Sequence, residues 1–307
     1  MTAIRLALVG IGKIARDQHL PAIGGDERFD LAASVDRKGG VEGLPVFRTI
    51  EELAQAGLGV EAVSLSTPPA GRHALAASAI AAGLHVMLEK PPATSLSEVD
   101  DLARRAEAAG VTLFTSWHSR AAAGVEPARA WLAGKRVTGL RINWREDIRR
   151  WHPGQEWILG AGGFGVFDPG INALSIVTAI LPGSLFVEGA TLHTPENRDA
   201  PIAASLSLRA GDAAGSAELD FLQTGPQSWD IEVDTDAGTL KLHDGGSRLE
   251  LPGEEPRPAE NREYAGLYAR FADLIAAGGS DVDTRPMQLV ADAMLLAKHE
   301  RAEPFSF

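Results

Sequence analysis

The run Gly10-Ile11-Gly12-Lys13-Ile14-Ala15, set directly after the apolar residues 4–9, constrains this chain more than any other feature. Two glycines and a small residue at that spacing fit a strand that turns sharply into a helix. The first glycine permits the turn, and the second lets backbone come close to a pyrophosphate. Ala15 lets the helix pack tightly on the sheet, and the phosphates face the helix N-terminus. A lone match to such a pattern is weak, so the residue ending the next strand matters. It is Asp36, about 20 residues further on, as the dinucleotide fingerprint requires. A carboxylate there bonds ribose hydroxyls and repels a 2′-phosphate, which favours NAD. The adjoining Arg37 is able to pair with a 2′-phosphate or stack on adenine, so NADP and dual use stay open.

The first 120 or so residues alternate short apolar runs with Ala-rich helical stretches. Residues 4–9, 31–35, 62–66, 84–88 and 111–115 read as buried strands, and 13–23, 50–56, 71–82 and 97–109 as helices. That alternation predicts an N-terminal Rossmann domain, a doubly wound parallel sheet covered on both faces, over residues 1–120.

Beyond residue 120 the texture changes. A helix is expected at 126–133 and another after Asp168, followed by strands at 138–144, 185–193, 203–208, 216–222, 229–234 and 239–243. Strands in succession without helices predict a C-terminal α+β domain, residues 121–307, with a large, mainly antiparallel open sheet. Helices at 260–277 and 286–298 close the chain, and the Pro- and Glu-rich residues 252–258 read as a loop. A broad open sheet face needs covering, which points to a homodimer or larger assembly.

The chain has 307 residues, 29 Lys and Arg against 41 Asp and Glu, and no cysteine. Its acidity disfavours nucleic acid as a partner. The lack of cysteine excludes thiol nucleophiles and Cys-ligated metals. No apolar run reaches bilayer length and the N-terminus lacks a signal-peptide pattern, so no membrane association and a cytoplasmic location are expected. No His, Asp and Glu grouping has metal-ligand spacing.

Three further segments carry chemistry. Ser66-Thr67-Pro68-Pro69, with His73 shortly after, ends one strand of the first domain, and Glu89-Lys90-Pro91-Pro92 ends the next. Both fall at carboxyl ends of parallel strands, where open α/β sheets bind ligands. The third is Gly162-Gly163-Phe164-Gly165-Val166-Phe167-Asp168-Pro169-Gly170-Ile171-Asn172. Asp168 is expected as a helix N-cap with Pro169 at the first helical position. Asn172, four residues on, would share its helix face.

Together these segments resemble the Gfo/Idh/MocA family of NAD(P)-dependent sugar oxidoreductases, and the resemblance spans nearly the whole chain. The family's usual Asp-x-x-x-His becomes Asp168-x-x-x-Asn172 here. Asn does not exchange protons as His does, which leaves proton transfer to Asp168 or Lys90. That departure, with Trp151-His152-Pro153 and Glu156-Trp157, looks like the aldose 1-dehydrogenase branch that acts on L-arabinose and D-galactose. The resemblance implies oxidation of a pyranose at C1 to the lactone, with Lys90, Asp168 and Asn172 at the reacting centre. It also implies cofactor contacts from Gly10, Gly12, Lys13, Ile14, Asp36, Arg37, Ser66, Thr67, Pro68, His73, Glu89, Lys90, Pro91 and His118.

The chemistry also follows from residue types. A cationic Lys90 near O1 would stabilise negative charge developing there, and a carboxylate at Asp168 would take the proton. Asn172 would orient O1 by a hydrogen bond. Sugars are held by an aromatic platform and hydrogen-bonding side chains, for which Glu146, Trp151, His152 and Trp229 are the candidates, with His118 touching nicotinamide or sugar. Trp229 and Trp157 are equally compatible with core positions. His19, His85, His193, His243 and His299 read as ordinary core or surface residues. Two other functions compete: an inositol-like polyol dehydrogenase, and a non-catalytic dinucleotide-binding sensor or repressor. Asn172 argues against the first, and the Lys90, Asp168, Asn172 set against the second.

Overall fold

The computed structural model describes residues 2–256, 260 and 262–307. They divide into two compact units, residues 1–118 with 264–284, and residues 119–263 with 285–307.

In the first unit six parallel strands are joined by helices. They are β1 (Ile4–Val9), β2 (Phe29–Val35), β3 (Val46–Phe47), β4 (Ala62–Leu65), β5 (His85–Glu89) and β6 (Leu113–Ser116). Their order is β3-β2-β1-β4-β5-β6, so the chain reverses its direction of travel at β1, and the ends of β1 and β4 lie side by side. The covering helices are α1 (Leu20–Gly24), α2 (Ile50–Gln55), α3 (Arg72–Ala81) and α4 (Leu96–Ala109). The caps follow from side-chain chemistry: Thr49 accepts from the Glu52 N–H ahead of α2, and Ser95 from that of Glu98 ahead of α4. The helix expected over 13–23 is not uniform. Residues Ala15–His19 form a wide π turn that leads into α1. Pro21 explains the irregularity, because it lacks an N–H and its ring crowds the preceding turn.

The other face of this sheet is covered from far along the chain. Helix α8 (Glu263–Ala277) brings Tyr264, Leu267, Tyr268 and Phe271 against Leu6, Phe29, Met87 and Phe114. The change of texture at residue 120 predicts that everything after it belongs to the second domain, whereas residues 264–284 pack within the first unit. An amphipathic helix announces its apolar face but not the sheet that will bury it.

The second unit holds α5 (Val125–Leu132), β7 (Val137–Arg145), α6 (Ile148–Trp151), α7 (Phe167–Ile180) and β8 (Leu185–Pro195). There follow β9 (Ala203–Ala210), β10 (Ala213–Asp220), β11 (Ser228–Thr235), β12 (Gly238–His243) and β13 (Arg248–Glu250). After α8 come α9 (Arg285–Leu296) and β14 (Ala297–Ala302). The eight strands run β13-β12-β11-β7-β10-β9-β8-β14, antiparallel except for β7 with β10 and β8 with β14. Helix α7 is buried along almost its whole length and packs with α5, α9 and the sheet.

Three short strands carry no strand signal in the sequence. In β14, the residues Ala297-Lys298-His299-Glu300-Arg301-Ala302 carry no apolar alternation and were expected to continue α9 as far as 298. They become a strand because the free edge of β8 supplies the hydrogen-bond partners. Strands β3 and β13 are likewise brief edge additions. In the expected loop over 252–258, residues 252–256 form no regular element, and 257–258 lie outside the described residues, as does 261 in the expected helix. Among the described residues no helix is long and apolar enough to cross a membrane.

Candidate active site

In the first unit the glycine turn is shaped by what a side chain would strike. Gly10 sits at φ +85°, and a Cβ there would fall 2.7 Å from Thr67 Cγ2 and 3.0 Å from Thr67 N. Only glycine lets β1 end so close to the end of β4. Gly12 has open space on its Cβ side, the room a pyrophosphate needs. Ala15 is fully buried beside Leu8 and Ile11, which brings the helix down onto the sheet. The hydroxyls of Ser66 and Thr67 are buried and find no hydrogen-bond partner among the described residues. Two buried donors without partners at a glycine turn, next to open backbone, fit a dinucleotide. Lys13 and Ile14 stand on the exposed side of this turn, Lys13 paired with Asp17.

Asp36 follows β2 and ties the turn together. Its Oδ2 accepts the Ile11 N–H at 2.8 Å, and its Oδ1 accepts those of Lys38 and Gly39 at 2.7 and 3.0 Å. Partial burial pushes its pKa up, but the three N–H groups and the charge of Arg16 outweigh that and hold it below the ordinary carboxylate value. The Arg37 side chain beside it is exposed. Pro68 is exposed as well, and His73 Nε2 lies 2.8 Å from Asp101 Oδ2 on α4.

At the end of β5, Glu89 is 4% exposed and its Oε2 accepts the Lys90 N–H at 2.6 Å. The Lys90–Pro91 peptide is cis. Arg72 of α3, buried as well, donates its guanidinium to the carbonyls of Glu89, Pro91 and Thr67. Buried charges of both signs are thus spent on peptide groups flanking Lys90. Arg72 was not anticipated from sequence; an Arg near the start of a helix carries no signal that its head group will turn inward. His118 follows β6 and opens a short 3-10 turn.

In the second unit, four of the candidates for sugar contact come together. Glu146, 5% exposed at the end of β7, lies with Oε1 3.2 Å from His152 Nε2, and its Oε2 accepts the Trp229 Nε1–H at 2.8 Å. Trp229, at the start of β11, meets Trp151 edge-on with ring centroids 5.3 Å apart. Trp151 stays 40% exposed, and its Nε1 donates to Gln227 Oε1 at 3.3 Å. Phe221 supports the His152 ring from its edge side at 5.6 Å. Gln227 and Phe221 lacked any sequence signal, since their roles depend on strand ends that only the sheet brings together. A buried carboxylate flanked by indole and imidazole, with an exposed indole at the rim, is equipped to bind vicinal hydroxyls.

Asp168 is 3% exposed but is not the expected N-cap. Helix α7 starts at Phe167, with Val166 as a cap that makes no side-chain bond. The turn begins early because Phe167 N–H and Asp168 N–H already bond the carbonyls of Phe164 and Gly165. Asp168 and Pro169 therefore occupy the first turn, where a missing N–H costs nothing. Asn172 follows one turn later on the same face, half-buried. The preceding glycines allow a close approach: a Cβ on Gly163 would lie 2.3 Å from Ile158 O, and one on Gly165 2.2 Å from Pro201 O. Among the described residues no group of His, Asp and Glu is arranged to hold a metal ion.

Residues 4–116 match the family model described as the oxidoreductase family with an NAD-binding Rossmann fold, Gfo/Idh/MocA. The chain is 42% identical over 308 residues to a galactose 1-dehydrogenase from Pseudomonas fluorescens, covering 99% of each. Among solved structures, a D-galactose-1-dehydrogenase protein from Rhizobium etli superposes with a TM-score of 0.94 at 51% identity, covering 100% of this chain and 99% of the other. A 3-ketoreductase from Actinomadura kijaniata, solved with NADP and TDP-benzene, shares the fold at 18% identity and a TM-score of 0.84, over 98% and 99% of the two chains. A parallel six-stranded sheet with its glycine turn, a second mostly antiparallel sheet and these full-length likenesses converge: the chain belongs to the Gfo/Idh/MocA family of NAD(P)-dependent oxidoreductases.

Proposed function

We propose that this enzyme is an aldose 1-dehydrogenase that oxidises C1 of D-galactose, and of L-arabinose, to the 1,5-lactone. One observation carries the substrate class: the buried Glu146 carboxylate bonded to Trp229 and close to His152, with Trp151 at its rim. The full-length identity to a galactose 1-dehydrogenase supports the choice of sugar. L-Arabinose and D-galactose share configuration at their ring stereocentres, galactose adding a hydroxymethyl group at C5, so one pocket serves both unless a side chain blocks that group.

A bound nicotinamide supplies the acceptor for the hydride that leaves C1. The chain's own groups manage charge and protons at O1. The Lys90 ammonium stabilises negative charge developing on O1, which is worth several kcal/mol in a dry site. Asp168, a carboxylate in the first turn of α7, takes the O1 proton as the C1–O1 bond becomes a carbonyl. Asn172 donates a hydrogen bond to O1 and holds it in line. NAD is favoured by the charge of Asp36 against a 2′-phosphate, and exposed Arg37 leaves NADP usable.

The test is absorbance of the reduced nicotinamide with a panel of aldoses, each offered with NAD and with NADP. Galactose and arabinose are expected to be turned over, and no turnover of any aldose would overturn the reading. Lys90→Ala and Asp168→Ala are each expected to lower kcat by roughly 10²- to 10⁴-fold, Asp168→Ala with cofactor Kd nearly unchanged. An unchanged kcat removes the assigned role.

A further inference from the structure

A buried polar network stands behind Lys90, and of its members the sequence singles out only Glu89 and His118, both as cofactor contacts, not His19, Ser64, Tyr264 or Tyr268. Glu89 is its centre. Besides holding the Lys90 N–H, its carboxylate accepts the Tyr264 hydroxyl at 2.6 Å on Oε1, and His19 Nε2 lies 3.4 Å from the same oxygen. His19 is fully buried, with Nδ1 2.7 Å from the Tyr268 hydroxyl, which donates onward to Ser64 Oγ at 3.2 Å. Both tyrosine rings meet His19 edge-on, at 5.0 and 5.8 Å. Tyr264 also stacks on His118, with centroids 5.3 Å apart and planes 19° from parallel.

Two features decide what such a network does. Tyr268 and Ser64 are fully buried, so the chain from Glu89 through His19 ends inside the core and has no exit for a proton. Tyr264, by contrast, reaches two candidate site residues at once. Its hydroxyl fixes the carboxylate that fixes the Lys90 peptide, and its ring face supports His118. We propose that Tyr264, backed by His19 and Tyr268, is a positioning residue that sets both Lys90 and His118 from a helix contributed late in the chain. This rests on Lys90 acting at the reacting oxygen.

The charge balance agrees with the geometry. The groups facing Glu89 are His19 from the π turn, Tyr264 from α8, His118 after β6, and Arg72 from α3 at its backbone carbonyl. Burial would raise the Glu89 pKa, but the close approach and charge of His19, the charge of His118 and the Tyr264 hydroxyl bring it down to about 2. Burial first, then the nearby Glu89 charge, push the Tyr268 phenol well above its usual value, so it stays a neutral donor.

Tyr264→Phe isolates the hydroxyl, because it leaves the ring over His118; Tyr264→Leu removes both. The first readout is amide hydrogen exchange at Lys90 in the full chain, which needs no sugar. Tyr264→Phe is expected to speed it about tenfold while the amides of β1 and β4 exchange as before. The second readout is stability against pH. A carboxyl held below its ordinary 4.5 stabilises the fold above that pH and loses the contribution as pH falls toward 2. Removing the hydroxyl raises the folded-state pKa, so acid unfolding begins at a higher pH in Tyr264→Phe. Third, kcat falls about tenfold with cofactor KM within twofold, and Tyr264→Leu falls further. Parent-like exchange at Lys90 overturns the proposal, and so does a uniform loosening of every amide in the unit, which marks a purely structural role. Should the parent turn over no aldose, the exchange and acid-unfolding results still decide the positioning, so failure of the sugar reading is seen separately.

Discussion

At Asp36 a single carboxylate accepts three backbone N–H groups and is also the group assigned to the ribose, so substitution probes both duties. Asp36→Asn removes the charge that repels a 2′-phosphate while keeping size and one carbonyl acceptor. The expected outcome is a rise of about tenfold in the kcat/KM for NADP relative to NAD, equivalent to about 1.4 kcal/mol, measured with one sugar at saturation. An unchanged ratio would place discrimination elsewhere in the loop. Asp36 was legible from sequence because its position depends on a spacing within one βαβ unit, as did the glycine turn itself. Glu146, Trp151, His152 and Trp229 are sugar-contact candidates by residue type, and the register of β11 against β7 is what brings Trp229 to Glu146. Tyr264 and Arg72 were not legible. Each acts on a β5-end peptide through a head group whose direction is set by tertiary packing, which no periodicity records.

Among the elements, α7 depends most on its approach. The segment before it threads between the backbone of residue 158 and that of residue 201, closer than any Cβ permits. Gly163→Ala is therefore expected to destabilise the protein by about 1–3 kcal/mol, through backbone displacement rather than loss of contacts. Urea unfolding measures it, and a change within about 0.5 kcal/mol would show that the loop yields freely. Strand β14 teaches the opposite lesson about sequence. Its six residues carry neither the alternation of a strand nor an apolar stripe, so nothing local marks where α9 stops and a strand begins. Pairing with β8 overrides local preference there, as it commonly does at sheet edges.

On the scale of the whole molecule, the two sheets were foreseeable from alternation of strands and helices in one half and succession of strands in the other. The return of residues 264–284 to the first unit was not, because the strongest local pattern, an amphipathic helix, is indifferent to its partner. The consequence is measurable. A fragment of residues 1–120 leaves Leu6, Phe29, Met87 and Phe114 without the aromatic side of α8. It is expected to bind a hydrophobic dye and to show no cooperative thermal transition, whereas the same fragment joined by a flexible linker to residues 262–284 is expected to regain one. Cooperative unfolding of the bare fragment would contradict this.

The same late helix also sets an order of events during synthesis. When a ribosome has released the whole glycine turn and all six strands of the parallel sheet, it has still to make well over a hundred residues before Tyr264 emerges. Throughout that interval the nascent sheet carries an uncovered apolar face, and Glu89 waits without the hydroxyl that holds it. The parallel sheet is thus completed only after the strands from β7 to β13 have been made, and until then its apolar face is open to unwanted contacts.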